Sequence, residues 1–111
     1  MKYKEPEIVM RDFESWIEQT NKNGRPIFLS DNPAFDWQWI NYYFHFYLDK
    51  NIFGFSARRI GDIYSGFKKD LSKSTEWKRF RKTKHTHNPV DDAKGNAEAF
   101  NEILKLMKNE K

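Results

Sequence analysis

Cysteine is absent from this sequence of 111 residues. Its absence excludes disulfides, thiolate metal sites and cysteine nucleophiles. Long apolar runs are also missing, since no segment approaches the roughly 20 residues that a membrane-spanning helix needs. The first residues, Met-Lys-Tyr-Lys-Glu-Pro-Glu, are not followed by an apolar signal segment. We therefore expect a cytoplasmic protein that does not cross a membrane.

The length predicts a single domain over residues 1–111. Net charge is +4, from 20 basic against 16 acidic residues, which is a weak sign of nucleic-acid binding. Five of the 20 basic residues fall within seven positions, with Trp77 and Phe80 beside and among them. These five are Lys78, Arg79, Arg81, Lys82 and Lys84. This basic segment is either a solvated loop or a phosphate-contacting surface whose aromatic rings are available for stacking on bases.

Apolar periodicity predicts four helices, at about residues 6–20, 33–48, 56–71 and 89–107. In the first helix Val9, Phe13, Trp16 and Ile17 are expected to face inward. The second has a stripe of Trp37, Ile40, Phe44 and Leu48. The third has Ile60, Ile63, Tyr64 and Phe67, and the fourth has Ala93, Ala97, Phe100, Ile103, Leu104 and Met107.

A short apolar run at residues 26–30 predicts a buried strand, and residues 51–55 around Gly54 suggest a second, brief one. The expected fold is therefore α/β, rich in helix and poor in strands. A single strand leaves its backbone groups unpaired, which is unfavourable when it is buried. Either the segment near Phe53 pairs with the first strand, or further strands belong to the fold.

The pattern Asn-Pro-x-x-Asp occurs twice, ending at Asp36 and at Asp92. In each, Asn suits a helix cap and Pro suits the first helical position. The Asp then lies on the first turn, where the helix dipole favours a carboxylate. Both residues are explained as helix-start acids by this interpretation alone, and Asp91 as a capping-box partner. A repeated pattern, once after a buried strand, also suits a site that needs two carboxylates.

His87 precedes Asp92 by five residues, and the intervening turn is expected to hold the two side chains close together. A neutral histidine there is able to take a proton from water. His85 is the alternative base, or a group that supports His87.

These residues resemble two motifs of the DEDDh superfamily of 3′–5′ exonucleases, whose fold is RNase H-like. The second family motif, His-Asn-Ala-x-Phe-Asp, is matched at Asn32, Phe35 and Asp36, whereas Asp31 and Pro33 depart from it. The third, His-x-x-x-x-Asp-Ala, is matched from His87 to Ala93, and Asn96-Ala97-Glu98-Ala99 is similar to the family's following helix. The resemblance covers about residues 25–106 and is nearest to the small phage and bacterial branch.

The resemblance implies hydrolysis of phosphodiesters at the 3′ ends of single-stranded DNA or RNA by two Mg²⁺ or Mn²⁺ ions. Asp36 and Asp92 would be metal ligands and His87 the general base. Asn32 and Phe35 would hold the terminal nucleotide. The basic segment would contact the rest of the strand through Arg79, Arg81 and Lys82.

The family's first motif, Asp-x-Glu on a strand, has no credible match. The sequence Asp12-Phe13-Glu14 lies in the first predicted helix, where both acids are expected to point to solvent. We therefore expect a truncated C-terminal portion of an exonuclease domain. Its missing strands would lie upstream of Met1 or on a second polypeptide, and this chain alone would have little or no activity. The alternatives are a non-catalytic single-strand-binding module, and a remnant that oligomerises to cover its strand edge.

Overall fold

The computed structural model describes residues 4–109 and contains four α-helices, two short strands and two 3₁₀ helices in that range. The order is α1 (Pro6–Thr20), β1 (Phe28–Ser30), α2 (Pro33–Leu48), β2 (Ala57–Arg59), α3 (Ile60–Phe67), 3₁₀ helices Leu71–Lys73 and Glu76–Phe80, and α4 (Pro89–Asn109). The strands form a parallel sheet and 64% of the described residues are helical, counting the 3₁₀ helices, which confirms the predicted α/β class. None of the helices over residues 4–109 combines the length and the apolar character needed to cross a membrane.

The chain divides into two compact units, each with its own hydrophobic core. Unit 1 contains the described residues up to 28 and residues 32–57, and therefore holds α1 and α2. Unit 2 contains residues 29–31 and the described residues from 58 onward, and therefore holds α3, α4, the two 3₁₀ helices and most of both strands.

α1 begins at Pro6, because proline lacks an N–H group and the first helical turn has no use for one. The helix buries Met10 and Ile17 and partly buries Phe13. The prediction that Val9 and Trp16 face inward is wrong, since both are exposed. Each precedes a buried residue by one position, which rotates it by about 100° away from the buried face.

The core of unit 1 is aromatic and centres on Phe44 of α2, which is fully buried. The ring centroids of Phe13 and Phe53 lie 5.8 Å and 6.0 Å from that of Phe44. The predicted inward stripe of α2 is confirmed, because its other three members are also at least half-buried. α2 ends where Asp49 adopts a left-handed conformation, with a φ of 59°.

The second predicted strand, at residues 51–55, is wrong. Asn51 forms a turn there: its side-chain oxygen accepts a hydrogen bond from the Phe53 N–H at 2.9 Å, and its carbonyl accepts one from Gly54 at 3.0 Å. Gly54 has a φ of 88°, which disfavours other residues. The strand that pairs with β1 is instead β2, over Ala57–Arg59.

The third helix is shorter than predicted, since it begins at Ile60 instead of near Ser56 and ends at Phe67 instead of near Leu71. Residues at its predicted start are used by β2. At its end, Lys69 has a φ of 57°, and the Asp70 side chain accepts a hydrogen bond from the Ser72 N–H at 3.0 Å. These contacts begin a separate 3₁₀ turn.

The core of unit 2 collects side chains from α3, the second 3₁₀ helix and α4. Its buried members are Ile60, Tyr64, Trp77, Ala99 and Ile103, with Leu29 of β1 packed against them. The inward position of Ile103 was predicted. Ala93, Ala97 and Leu104 were also predicted to face inward, and they are exposed instead. α4 turns Gly95, Ala99 and Ile103 toward the core, and Gly95 and Ala99 each lie two positions beyond a predicted alanine.

Candidate active site

The first two cations of the basic segment, residues 78–84, form contacts inside unit 2. Lys78 Nζ lies 3.5 Å from Asp31 Oδ2, and Arg79 donates a hydrogen bond to the Tyr64 hydroxyl at 3.3 Å. Trp77 is buried in the core and Phe80 packs against it. The interpretation that these two aromatic rings are available for stacking on bases is therefore wrong.

Arg81 lies against the first turns of α4 and holds the segment there. Its guanidinium donates hydrogen bonds to the Asn96 side-chain oxygen and, at 3.4 Å, to the Asp92 carbonyl. The group sits where a Cβ on Gly95 would be, so any residue larger than glycine would displace it. A charge-assisted hydrogen bond is stronger than a neutral one. Arg81 therefore fixes the segment that leads to His85 and His87.

Thr83 makes the second attachment to α4, through Glu98. The Glu98 carboxylate accepts hydrogen bonds from the Thr83 N–H at 2.8 Å and hydroxyl at 2.9 Å, and from the Lys82 N–H at 3.2 Å. The bond from the Thr83 N–H is the main reason that the pKa of Glu98 lies below its usual value of 4.5. Glu98 is therefore a fixed anchor for the segment.

His85 makes the third attachment, directly to Asp92. His85 Nε2 lies 3.1 Å from Asp92 Oδ2, and the His85 and His87 ring centroids are 4.7 Å apart. The other carboxylate oxygen, Asp92 Oδ1, is buried and receives no hydrogen bond from the described residues. Arg81 Nη2 is also buried and donates no hydrogen bond to the described residues. Asp92 therefore keeps one acceptor oxygen free beside a histidine.

His87 was expected to be the histidine next to Asp92, but the structure gives that contact to His85. His87 is exposed and has a φ of 67°, a left-handed conformation that is uncommon outside glycine. Such backbone strain is often found at functional positions. The two histidines therefore differ, with His85 on the carboxylate and His87 on a strained, open turn.

The start of α4 is capped as the sequence predicted. The Asn88 side-chain oxygen accepts a hydrogen bond from the Val90 N–H at 2.9 Å, and its carbonyl accepts the first helical bond from Asp92 at 3.0 Å. Asp91 is not a capping-box partner. It accepts a hydrogen bond from the Thr86 hydroxyl at 2.7 Å, and that hydroxyl accepts one from the Asn88 N–H at 3.3 Å.

The start of α2 lies in unit 1 and is simpler. The Asn32 carbonyl accepts hydrogen bonds from the N–H groups of Phe35 at 3.1 Å and Asp36 at 3.2 Å, but its side chain makes no capping bond. Asn32, Phe35 and Asp36 are all exposed. Three of the predicted site residues are thus open to solvent on one helical turn.

The rejected Asp12-Phe13-Glu14 sequence lies on α1, as predicted. Asp12 is exposed and pairs with Lys4 at 3.0 Å. Glu14 does not point to solvent as expected, because its side chain is mostly buried with Oε2 4.0 Å from Lys50 Nζ. Neither acid belongs to a strand, so the family's first motif has no match among the described residues.

A metal ion needs several converging ligands, and residues 4–109 bring no group of three His, Asp or Glu side chains close enough to hold one. The free Asp92 Oδ1 is suited to a cation, but it is one oxygen. The described residues therefore do not by themselves fit a two-metal site.

Three contacts on α4 escaped the sequence interpretation: those made by Arg81, Thr83 and His85. These residues alternate, as do side chains that reach one surface from an extended segment. Their partners Asp92, Gly95 and Glu98 recur at three-residue spacing on a helix. This alternation indicates an extended segment with one side on a helix, but the neighbouring charged residues suggested an exposed segment instead.

Comparison with known families decides the identity of the chain. Residues 3–104 match the model of the 3′-5′ exoribonuclease Rv2179c-like domain. The chain belongs to this 3′–5′ exonuclease family. The match spans both the Asn32–Asp36 segment and the His87–Asp92 segment, so the predicted membership of a 3′–5′ exonuclease family is confirmed.

A relative of this chain is the 3′-5′ DNA exonuclease Cap18 of Escherichia coli. The two are 36% identical over 113 aligned residues, which cover 96% of this chain and 60% of the relative. The chain thus spans about three fifths of the length of the curated relative that it matches.

Proposed function

We propose that this chain is part of a 3′–5′ exonuclease domain of the DEDDh type, with an RNase H-like fold, that hydrolyses phosphodiesters at nucleic-acid 3′ ends in the cytoplasm. The observation that carries the proposal is Asp92: a carboxylate fixed on the first turn of α4, paired with His85, with a buried and unpaired Oδ1. A buried acceptor without a partner is costly, and such groups are often completed by a ligand.

The two histidines are assigned different roles in this proposal. His87 is the general base, since it is exposed on a strained turn where it is able to meet a water molecule. His85 orients Asp92 through the contact at 3.1 Å. The attachments of Arg81 and Thr83 to α4 hold this turn in place before substrate binds. Binding therefore costs little conformational entropy in the turn.

Divalent metal chemistry is also part of the proposal, through Asp36 and Asp92 as ligands for Mg²⁺ or Mn²⁺. Two such ions stabilise the attacking and leaving oxygens of a phosphodiester. The described residues do not complete this site, so the remaining carboxylates must come from further strands of a longer protein or from a second polypeptide. This chain alone is therefore expected to be inactive or weak.

Nucleic acid would be held by residues at the start of α2 and by residues of the basic segment. Asn32 and Phe35 are exposed and suit the terminal nucleotide, since a ring stacks on any base. Lys82 is exposed and suits a phosphate. Arg79 is also exposed and suits one, although it donates a hydrogen bond to the Tyr64 hydroxyl. We reassign Arg81 from substrate contact to positioning, because its guanidinium is held by α4. The family is described as exoribonuclease-like and the relative is named a DNA exonuclease, so the proposal covers both RNA and DNA.

The decisive experiment restores the part of the Escherichia coli relative that lies outside the match, fused to this chain in its natural order. With Mn²⁺ and a 5′-labelled single strand, the fusion is expected to produce a ladder of 3′-trimmed products, lost in Asp92→Asn and Asp36→Asn. Asp91→Asn is the matched control, because Asp91 bonds Thr86 and faces no free site. A folded fusion that produces no ladder would contradict the proposal.

The chain alone provides the second arm of that test. Under the same conditions it is expected to leave the labelled strand intact. A ladder from the chain alone that disappears in Asp92→Ala would show that four carboxylates are not needed, and the incomplete-site part of the proposal would fail. Salt-sensitive binding that is indifferent to Mg²⁺ and to Asp36→Ala would favour a non-catalytic binding module instead.

A further inference from the structure

α2 is apolar on two opposite sides. Its inner side packs Phe44 into the core of unit 1. Its outer side carries four aromatic residues that are about half exposed or more; these form the outer stripe, Phe35 (58%), Trp39 (49%), Tyr42 (54%) and Phe46 (62%). An apolar stripe on a helix normally packs against another element. The outer stripe is therefore a candidate docking surface.

The spacing of the outer stripe identifies a helix as the occupant. Its members are separated by four, three and four residues, which is the a and d spacing of a coiled-coil seam. This spacing reads the same in both directions. An antiparallel copy of α2 would therefore place Trp39 against Tyr42 of the partner copy, and Phe35 against its Phe46. A self-complementary surface of this kind fits a two-fold symmetric dimer.

The charge of α2 argues against a nucleic-acid backbone or an anionic membrane as the occupant of the whole stripe. Asp36 is its one acidic residue, and Lys and Arg are absent from its sequence. Phosphate and anionic lipid surfaces are bound largely through Lys and Arg. One flank of the stripe is instead formed by Gln38, Asn41 and His45, which are uncharged or weakly basic hydrogen-bonding groups. Such polar flanks are typical of the rim of a protein interface.

The area of the stripe is at the lower limit for a stable dimer. Buried aromatic side chains contribute roughly 150–250 Å² each. Half of that from the four stripe residues and the neighbouring exposed Tyr43 gives on the order of 500 Å² per copy, or about 1,000 Å² in total. A specific interface needs about this much, so the expected association is weak but specific.

We propose that a second copy of this chain docks on the outer stripe of α2, with the two α2 helices antiparallel around a two-fold axis. Trp39 and Tyr42 form the two central layers. Phe35 and Phe46 form the two outer layers, at the ends of the helix pair. The helix ends can therefore separate while the contacts of Trp39 and Tyr42 remain. The dimer centres on Trp39 and Tyr42, which the proposed exonuclease function does not use, whereas Phe35 at the end of the stripe belongs to both proposals.

Sedimentation equilibrium of the full chain tests the dimer over a roughly hundredfold range of concentration, because dimerisation follows mass action. A monomer–dimer equilibrium is expected. Trp39→Lys and Tyr42→Lys are each expected to raise the dissociation constant by about thirtyfold, as for a central aromatic residue. Trp16→Lys on α1 is the matched control, since Trp16 is also exposed and should leave the equilibrium unchanged. Circular dichroism checks that every variant folds.

Cysteine pairing tests the orientation, since the chain has no cysteine of its own. Phe35→Cys and Phe46→Cys chains are mixed and oxidised gently. Antiparallel helices bring position 35 of one copy beside position 46 of the other, whereas like positions lie roughly 16 Å apart, too far for a disulfide. The mixed disulfide should therefore dominate. Dominant like-with-like disulfides, a monomer at every concentration, or a dimer unaffected by Trp39→Lys would each overturn the proposal.

Discussion

The helix starts of α2 and α4 share the pattern Asn-Pro-x-x-Asp, but their side chains have different surroundings. At α4, Asn88 caps the helix with its side chain and Asp92 is engaged by His85. At α2, Asn32 makes no side-chain cap and Asp36 is exposed. The difference comes from residues 81–87, which lie across the first turns of α4. A short motif thus sets the backbone, whereas distant residues decide what its carboxylate can do.

The largest expected effect comes from removing the group that holds residues 81–87 on α4. Arg81→Ala leaves the Asn96 oxygen and the Asp92 carbonyl without their charged donor, and should lower the free energy of unfolding by about 2 kcal/mol. Urea unfolding measures this change. Lys82→Ala alters an exposed neighbour and should change it by less than about 0.5 kcal/mol. Equal effects of the two substitutions would mean that Arg81 does not hold the segment.

The caps of the two helices should also differ in energy. Asn88→Ala removes the bond to the Val90 N–H and should cost about 1 kcal/mol. Asn32→Ala removes no side-chain cap and should cost less than half of that. The two variants are compared by thermal unfolding under identical conditions. A larger loss from Asn32→Ala would remove the distinction between the two helix starts.

A smaller effect is expected at His87, whose left-handed backbone has no counterpart at the start of α2. Glycine adopts this conformation without the penalty that a Cβ brings. His87→Gly should therefore be more stable than His87→Ala by about 1 kcal/mol, less the entropy that glycine loses on folding. Chemical denaturation of the pair measures the difference. If alanine proves the more stable, the turn is not strained in solution.

The smallest effect concerns pH and the Glu98 anchor. Its pKa is lowered in the folded chain, mainly by the Thr83 N–H, so its stabilising contribution is present above the ordinary value of 4.5. That contribution is lost as the pH falls through the lowered pKa. Glu98→Gln should therefore flatten the acid side of a stability–pH profile. Glu102→Gln, which alters an exposed pair with Lys105, is the control and should keep the slope of the parent chain.

The sequence predicted features that local residue patterns determine. α1, α2 and the start of α4 follow from apolar spacing and from Pro and Asn at their first positions. β2 was missed because Ala-Arg-Arg carries no apolar signal, and its strand conformation depends on pairing with β1. The side of α4 that faces inward was missed for a similar reason. Gly95 is buried by Arg81, a residue fourteen positions away whose charge suggested an exposed surface.

The candidate site was likewise predicted only as far as local residue patterns determine it. The pattern of residues located Asp36, Asp92 and the histidine turn, but it did not decide which histidine meets the carboxylate. That depends on where residues 81–87 attach. Because Arg81 and Thr83 are attached to α4 at fixed points, the register of the segment brings His85 to Asp92 and leaves His87 on the turn beyond it.

Because Trp77 is the one tryptophan of unit 2, and is buried there, fluorescence can follow the unfolding of each unit separately. Of the four tryptophans, Trp16, Trp37 and Trp39 lie in unit 1 and Trp77 alone lies in unit 2. A variant with phenylalanine at the first three positions would report the melting of unit 2 through one blue-emitting fluorophore. The complementary Trp77→Phe variant would report unit 1. Coincident melting curves would show that the two units unfold as one cooperative block, and separated curves would give each its own stability.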